Sequence, residues 1–197
     1  MSLTAMVETL WEYTQAVRKI DSPKNTHIDL YRGQSEEFSL LPGLFRKPNT
    51  VLSVKRNEHR LLQALKDSIP DKIPRPENDW DWLSFGQHFG LPTRLLDWSE
   101  NHLTALFFAV RDSPTAPVVF VYHAKKSQIV TSDEKKTSPF SISITRIMKP
   151  KPPNIRATLQ EAWHTVHKVY RMKGREVFRP LTDMRIHDCS ATIKSPG

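Results

Sequence analysis

The chain has 197 residues, 38% of them hydrophobic, with 29 Lys and Arg against 21 Asp and Glu and a formal charge of +8. That length suits one hydrophobic core and would crowd two full domains, so the chain reads as a single domain. The single cysteine, Cys189, excludes an intramolecular disulfide and a zinc site of several thiolates, and it fits a reducing, cytoplasmic compartment.

In chain order, Leu3, Met6, Val7, Leu10, Trp11, Tyr13, Val17 and Ile20 recur with a 3.6-residue period and predict an amphipathic helix capped by Ser2. Glu8, Glu12, Arg18 and Lys19 interrupt it, so it reads neither as a signal peptide nor as a membrane span. After the turn around Pro23, residues 28–31 read as a short strand that delivers Arg32 and Gly33 at its end. Residues 53–68 predict a second helix with Leu61, Leu62 and Leu65 inward, and Pro70, Pro74 and Pro76 enforce a linker. A short helix begins at Asp79 or Asp81, and Ser99 is the expected cap of a helix over 100–111. Leu103, Ala105, Leu106, Phe107, Phe108, Ala109 and Val110 leave that helix no polar face, which predicts a place deep in the core. Residues 117–123 read as a buried strand, 132–138 as a polar loop and 141–147 as a half-buried strand. Leu159, Ala162, Trp163, Val166, Val169 and Tyr170 sit at helical spacing behind Asn154, a candidate cap. The expected fold is α+β, a single domain of N-terminal helices on a small mixed sheet. Its organisation reads as an N-terminal helix over 1–27, the main domain over 28–185 and a tail over 186–197.

The densest stretch of chemistry is Gln87-His88-Phe89-Gly90-Leu91-Pro92-Thr93-Arg94-Leu95-Leu96-Asp97-Trp98, in which a turn carries amide, imidazole, hydroxyl, guanidinium and carboxylate groups between aromatic anchors. It reads as a binding or catalytic loop, or as a structural corner in which Arg94 pairs with Asp97. Together with Leu30-Tyr31-Arg32-Gly33-Gln34, Leu40-Leu41-Pro42-Gly43-Leu44-Phe45-Arg46 and Glu58 ahead of Leu61-Leu62, the stretch strongly resembles the FRG domain family over residues 28–122. At family level the resemblance carries an association with bacteria and phage.

A looser similarity runs to ADP-ribosyltransferases. Tyr31-Arg32-Gly33 looks like their aromatic-Arg-Gly strand, and Asp97-Trp98-Ser99 followed by Ala105-Leu106-Phe107-Phe108-Ala109 looks like their second element. The similarity implies NAD as cofactor and a nucleotide as ligand. It implies Arg32 on phosphate, Trp98 and Ser99 on the nicotinamide side, and Tyr31, Gln34, Gln87, Arg94 and Asn101 lining the same site. The polar step falls to His88 or Asp97, because a positioned carboxylate stabilises positive charge developing at the ribose C1. The late glutamate motif of those enzymes is absent, and Glu161 is the nearest candidate for it. No spacing supports a metal site, and no phosphate-binding glycine loop is present.

The alternative is a non-enzymatic interaction module binding nucleic acid or an acidic protein. The basic stretch 149–179, opening on Lys149 and closing on Arg179, interleaves cations with Trp163, His164, His167 and Tyr170. Cations neutralise phosphates while rings stack on bases, which suits a single strand; the same aromatic residues on one helix stripe would simply face the core.

Overall fold

The computed structural model describes residues 7–20, 23–46, 54–112, 116–151, 162–172, 175–177, 181 and 186–189. In chain order the elements are α1 (Leu10–Lys19), β1 (His27–Gln34), α2 (Val54–Ser68), α3 (Asp79–His88), β2 (Leu95–Ser99), α4 (His102–Val110), β3 (Val118–Lys125), β4 (Arg146–Met148), β5 (Ala162–Val166), β6 (Tyr170–Met172), β7 (Arg175–Val177) and β8 (Ile186–Cys189). Six strands form one sheet in the order β4-β5-β2-β1-β3-β8, and β6 pairs with β7 apart from it. The α+β class holds, but every strand pair in the main sheet is antiparallel, so the sheet is not mixed. Strand β8 carries the sheet as far as Cys189.

Both faces of the sheet are covered. On one, Tyr31, Val119 and Val121 pack with Tyr13 and Val17 of α1 and with Ala105, Leu106 and Ala109 of α4. Further along that face, Leu95 and Val166 pack with Leu62 of α2 and with Trp80, Trp82 and Leu83 of α3. The opposite face gathers Leu30, Leu96, Trp98, Phe120, Tyr122, Ile147 and Trp163 under Leu40 and Leu181. Burial on both sides is why Val118-Val119-Phe120-Val121-Tyr122 is continuously apolar instead of alternating.

Two contacts fix this arrangement. At Gly33, a Cβ would stand 1.8 Å from the carbonyl oxygen of Ala105 and 2.7 Å from the amide nitrogen of Ala109, so β1 crosses the backbone of α4 where only glycine fits. Ahead of β2, Arg94 and Glu58 form an ion pair from which solvent is wholly excluded. Glu58 Oε2 stands 2.7 Å from Arg94 Nη2 and accepts from Nε at 2.8 Å, while Oε1 accepts from the Arg94 backbone amide at 2.8 Å. The guanidinium lies 4.9 Å from the centre of the Phe140 ring and donates to the Pro139 carbonyl at 3.3 Å. Charges removed from water need such saturation, and deleting one partner of a buried pair costs about 3–5 kcal/mol.

Several expectations are corrected. Helix α1 starts at Leu10, because Thr9 and Glu12 build a capping box there, and Ser2 lies outside the described residues. Helix α4 is capped by the Asn101 side chain, which accepts from Leu103 N and Thr104 N; the Ser99 hydroxyl instead accepts from Asn101 N at 3.0 Å. That helix is not deep in the core: one side buries Ala105, Leu106 and Ala109, while Leu103, Phe107 and Phe108 remain open to solvent. Leu61, expected inward on α2, is likewise exposed. Between 139 and 148 the chain forms a 3-10 turn, Pro139–Ser141, and only the three-residue β4. Ala162–Val166 is a strand and not part of a helix, because five of its residues register against β2; Asn154 and Leu159 lie outside the described residues.

His167 follows β5 and is 1% exposed, its Nε2 3.2 Å from the hydroxyl of Thr165, which accepts from Trp98 Nε1 at 3.0 Å. Burial, then the charges of Arg94 and Arg32, push its pKa down to about 3. The folded state therefore keeps His167 neutral where the unfolded chain would take up a proton below about pH 6.5. Stability from this group is complete above that pH and is lost as pH falls towards the folded value. Urea melts at pH 7.5 and pH 5 are expected to show a loss of about 2 kcal/mol that is reduced in His167→Asn. Gly33→Ala is expected to cost about 3 kcal/mol, the upper end for overpacking. Gly43→Ala, where a Cβ meets nothing within 4 Å, leaves the melting temperature unchanged.

Candidate functional site

Strand β1 registers with β3 through eight residue pairs, and β2 registers with β5 through five. Between β1 and β2 there is one registered pair, Tyr31 with Ser99. Beyond it Arg32-Gly33-Gln34 and Leu96-Asp97 face each other across a seam without a ladder. Arg32 fills the seam: its Nη1 donates to the carbonyl oxygen of Asp97 at 2.8 Å, a side chain doing what a strand amide would otherwise do.

The Asp97 carboxylate rises from the helical face of the sheet. Gln87 Nε2 donates to Oδ1, and the same amide's Oε1 accepts from the Thr93 hydroxyl, whose oxygen also accepts from Leu95 N at 3.2 Å. His164, the registered partner of Asp97 on β5, places Nδ1 3.1 Å from the same Oδ1, and its Nε2 lies 3.0 Å from the Ser84 hydroxyl on α3. Asp97 thus sits amid α3, β2 and β5, with 61% of its side chain open to solvent. Desolvation raises its pKa, and His164, the Arg32 charge and Gln87 outweigh that effect, holding the carboxyl below its usual range. It is an anion at neutral pH. Burial lowers the pKa of Arg32 and its Arg46 neighbour adds to this, while Asp97 opposes both.

Arg32 and Asp97, expected at one site, do meet, though from opposite sides. Alternation along β1 puts Arg32 and Gln34 on the face of Leu30 and Phe120, and alternation along β2 puts Asp97 on the face of Ser99. Tyr31 and Ser99 flank the seam on the helical face, with His102 edge-on to Tyr31 at 5.9 Å. Asn101 is spent on capping α4. Trp98 is buried on the far face and bonded to Thr165, so it shapes the interior and not a nicotinamide pocket. Arg94 is wholly buried on Glu58, not paired with Asp97 and not presented to the site. His88 is exposed at the end of α3 against Phe89; the histidine that reaches Asp97 is His164. Glu161 lies outside the described residues.

No local motif announces His164 or Ser84. The signal that finds them is strand register, which sets Asp97 opposite His164. Register also removes Trp163 as a platform for stacked bases, since its ring is buried in the sheet. Among the described residues no group of three or more His, Cys, Asp or Glu is placed to hold a metal, and no helix is long and apolar enough to cross a membrane.

No curated protein and no solved structure matches the chain. Comparison with known families gives a match to the FRG domain over residues 28–116. That span starts in β1 with the Tyr31-Arg32-Gly33 triplet, takes in Glu58, and runs through Arg94, Asp97 and the whole of α4. The close β1–α4 crossing, the buried ion pair and the seam all lie inside it, and the chain carries an FRG domain.

Proposed function

We propose that the seam is a nucleotide-handling site of ADP-ribosyltransferase type, taking NAD as the donor of ADP-ribose. The observation that carries this reading is an ionised, solvent-open carboxylate held by three neighbours beside a guanidinium in a gap between strands. Cleavage of the bond between nicotinamide and the ribose C1 sends the bonding electron pair to nicotinamide and leaves positive charge on the ribose. A fixed anion facing that carbon stabilises the charge without reorganising. Asp97 fills this role. The new bond forms from C1 to the acceptor, which releases a proton; with water as acceptor the products are nicotinamide, ADP-ribose and that proton. Arg32 sits where it supports the phosphates, as a fork of donors does. Gln87 and His164 act as positioning residues for the carboxylate.

A second reading, a non-enzymatic interaction module, is favoured by one observation: Leu10 and Trp11 of α1 and Leu103 and Phe107 of α4 are large apolar side chains left in solvent. The two readings separate on one measurement. Incubating the purified chain with NAD is expected to release nicotinamide, and Asp97→Asn is expected to lower the rate at least a hundredfold, the scale of losing a charge-stabilising group. The melting temperature should stay close to wild type, because the carboxylate is largely in solvent. Absence of nicotinamide release by the wild-type chain would leave the interaction module as the reading.

A further inference from the structure

Ribosyl transfer to an O–H group frees a proton, and the Asp97 carboxyl, held below its usual range, is a poor place for it. The imidazole beside it is the better base, since histidine is the side chain suited to taking up a proton near neutral pH. His164 is only 7% exposed, and each ring nitrogen faces one neighbour. Nδ1 stands 3.1 Å from Asp97 Oδ1, and Nε2 stands 3.0 Å from the Ser84 hydroxyl oxygen. A bare lone pair on Nδ1 would face an anion, so the proton of the neutral ring belongs on Nδ1. Nε2 is then the acceptor, and the Ser84 hydroxyl is the donor to it.

Serine inside a helix commonly turns its hydroxyl back onto the carbonyl one turn earlier. Ser84, half-buried within α3, instead reaches across to β5. The three groups stand on three elements whose mutual positions are set by the fold: β5 registers His164 with Asp97 on β2, and α3 packs over both strands through Trp80, Trp82 and Leu83 against Leu95 and Val166. A proton from outside therefore reaches Nε2 by way of the Ser84 oxygen.

We propose that Ser84 and His164 form a proton relay that deprotonates the acceptor as it attacks the ribose C1, and that the acceptor is a hydroxyl, either water or an alcohol. The inference rests on the NAD reading and adds the acceptor to it. As the acceptor oxygen bonds to C1, the bond from C1 to nicotinamide breaks and its electron pair leaves with nicotinamide. The acceptor's proton passes to Ser84 Oγ while the Ser84 proton passes to Nε2. The imidazolium that forms lies against the Asp97 carboxylate, and it returns its proton through Ser84 to solvent once the product has left. A carboxylate or phosphate acceptor arrives without a proton and has no use for the relay.

The test uses the full chain with NAD, alongside Ser84→Ala and Ser84→Thr; alanine is the best helix former, so α3 is retained. Ser84→Ala is expected to lower kcat for nicotinamide release by about a hundredfold with KM for NAD unchanged, the scale of losing a proton-transfer group. Ser84→Thr, which keeps the hydroxyl, is expected to restore most of that loss. Nitrogen NMR of the imidazole in the free protein is expected to show His164 protonated on Nδ1; a proton on Nε2 in the neutral ring overturns the relay whatever the rates. The released product is expected to be ADP-ribose, or its glycoside when methanol is added. ADP-ribose recovered only as a hydroxylamine-labile ester, the mark of a carboxylate acceptor, overturns the assignment of the acceptor. Absence of nicotinamide release by wild type sinks the NAD reading and this inference with it, whereas release that Ser84→Ala leaves at the wild-type rate sinks the relay alone.

Discussion

The Glu58–Arg94 ion pair is the contact on which the site depends. Glu58 belongs to α2, Arg94 opens β2, and the carbonyl of Arg94 accepts from the amide of His167 at 3.1 Å, so one buried pair ties a helix to two neighbouring strands. With Arg94 fixed, the next residues have no freedom of register. Leu95 meets Val166, Leu96 meets Thr165, and Asp97 meets His164. A guanidinium of this kind is costly to bury, and its pairing with Glu58 at both the side chain and the backbone amide fixes the geometry of the corner. The Asp97 carboxylate inherits that precision at second hand.

Gly33 sets the opposite wall. Close passage of β1 over α4 lets Tyr31 and Val119 reach the helix core, and it brings the N-terminus of α4 towards the seam, where Asn101 and Ser99 close the first turn. The order Tyr31-Arg32-Gly33 then has a physical meaning at each position. Tyr31 fills the helical core, Arg32 crosses to the far face and bridges the seam, and Gly33 yields space to a backbone.

How far the sequence could be read follows from the same contacts. Helices α2 and α3 and strand β3 were legible because their apolar patterns match the surfaces they meet: one stripe on α2, an acidic first turn on α3, an unbroken run on β3. Helix α4 was legible as a helix but not in its setting, since an apolar circumference predicts burial and the sheet covers only one side of it. Strand β5 was misread because Ala162, Trp163 and Val166 happen to satisfy helical spacing, and a five-residue strand is decided by its partner. At the site, Gln87 and Asp97 stood out in the dense polar stretch 87–98, and Arg32 stood out at the end of a strand before Gly33 and by its likeness to an aromatic-Arg-Gly motif. Arg94 was legible as half of a structural corner but not with its partner, since a one-dimensional pattern cannot tell which carboxylate, Asp97 or Glu58, it meets. His164 and Ser84 join the cluster only through tertiary pairing.

The single registered pair between β1 and β2 makes the sheet mechanically two sheets, β4-β5-β2 and β1-β3-β8, riveted at Tyr31 and Ser99 and pinned once more by Arg32. Strands joined by a full ladder must unzip bond by bond; across this seam one pair, one side-chain bond and the apolar layer that Leu30, Phe120 and Tyr122 share with Leu96, Trp98 and Trp163 hold the halves together. Amide hydrogens along the seam therefore belong to the low-energy end of local opening, well below the cost of unfolding either half. Anything that spans the gap adds to a joint that side-chain packing, more than backbone pairing, holds closed.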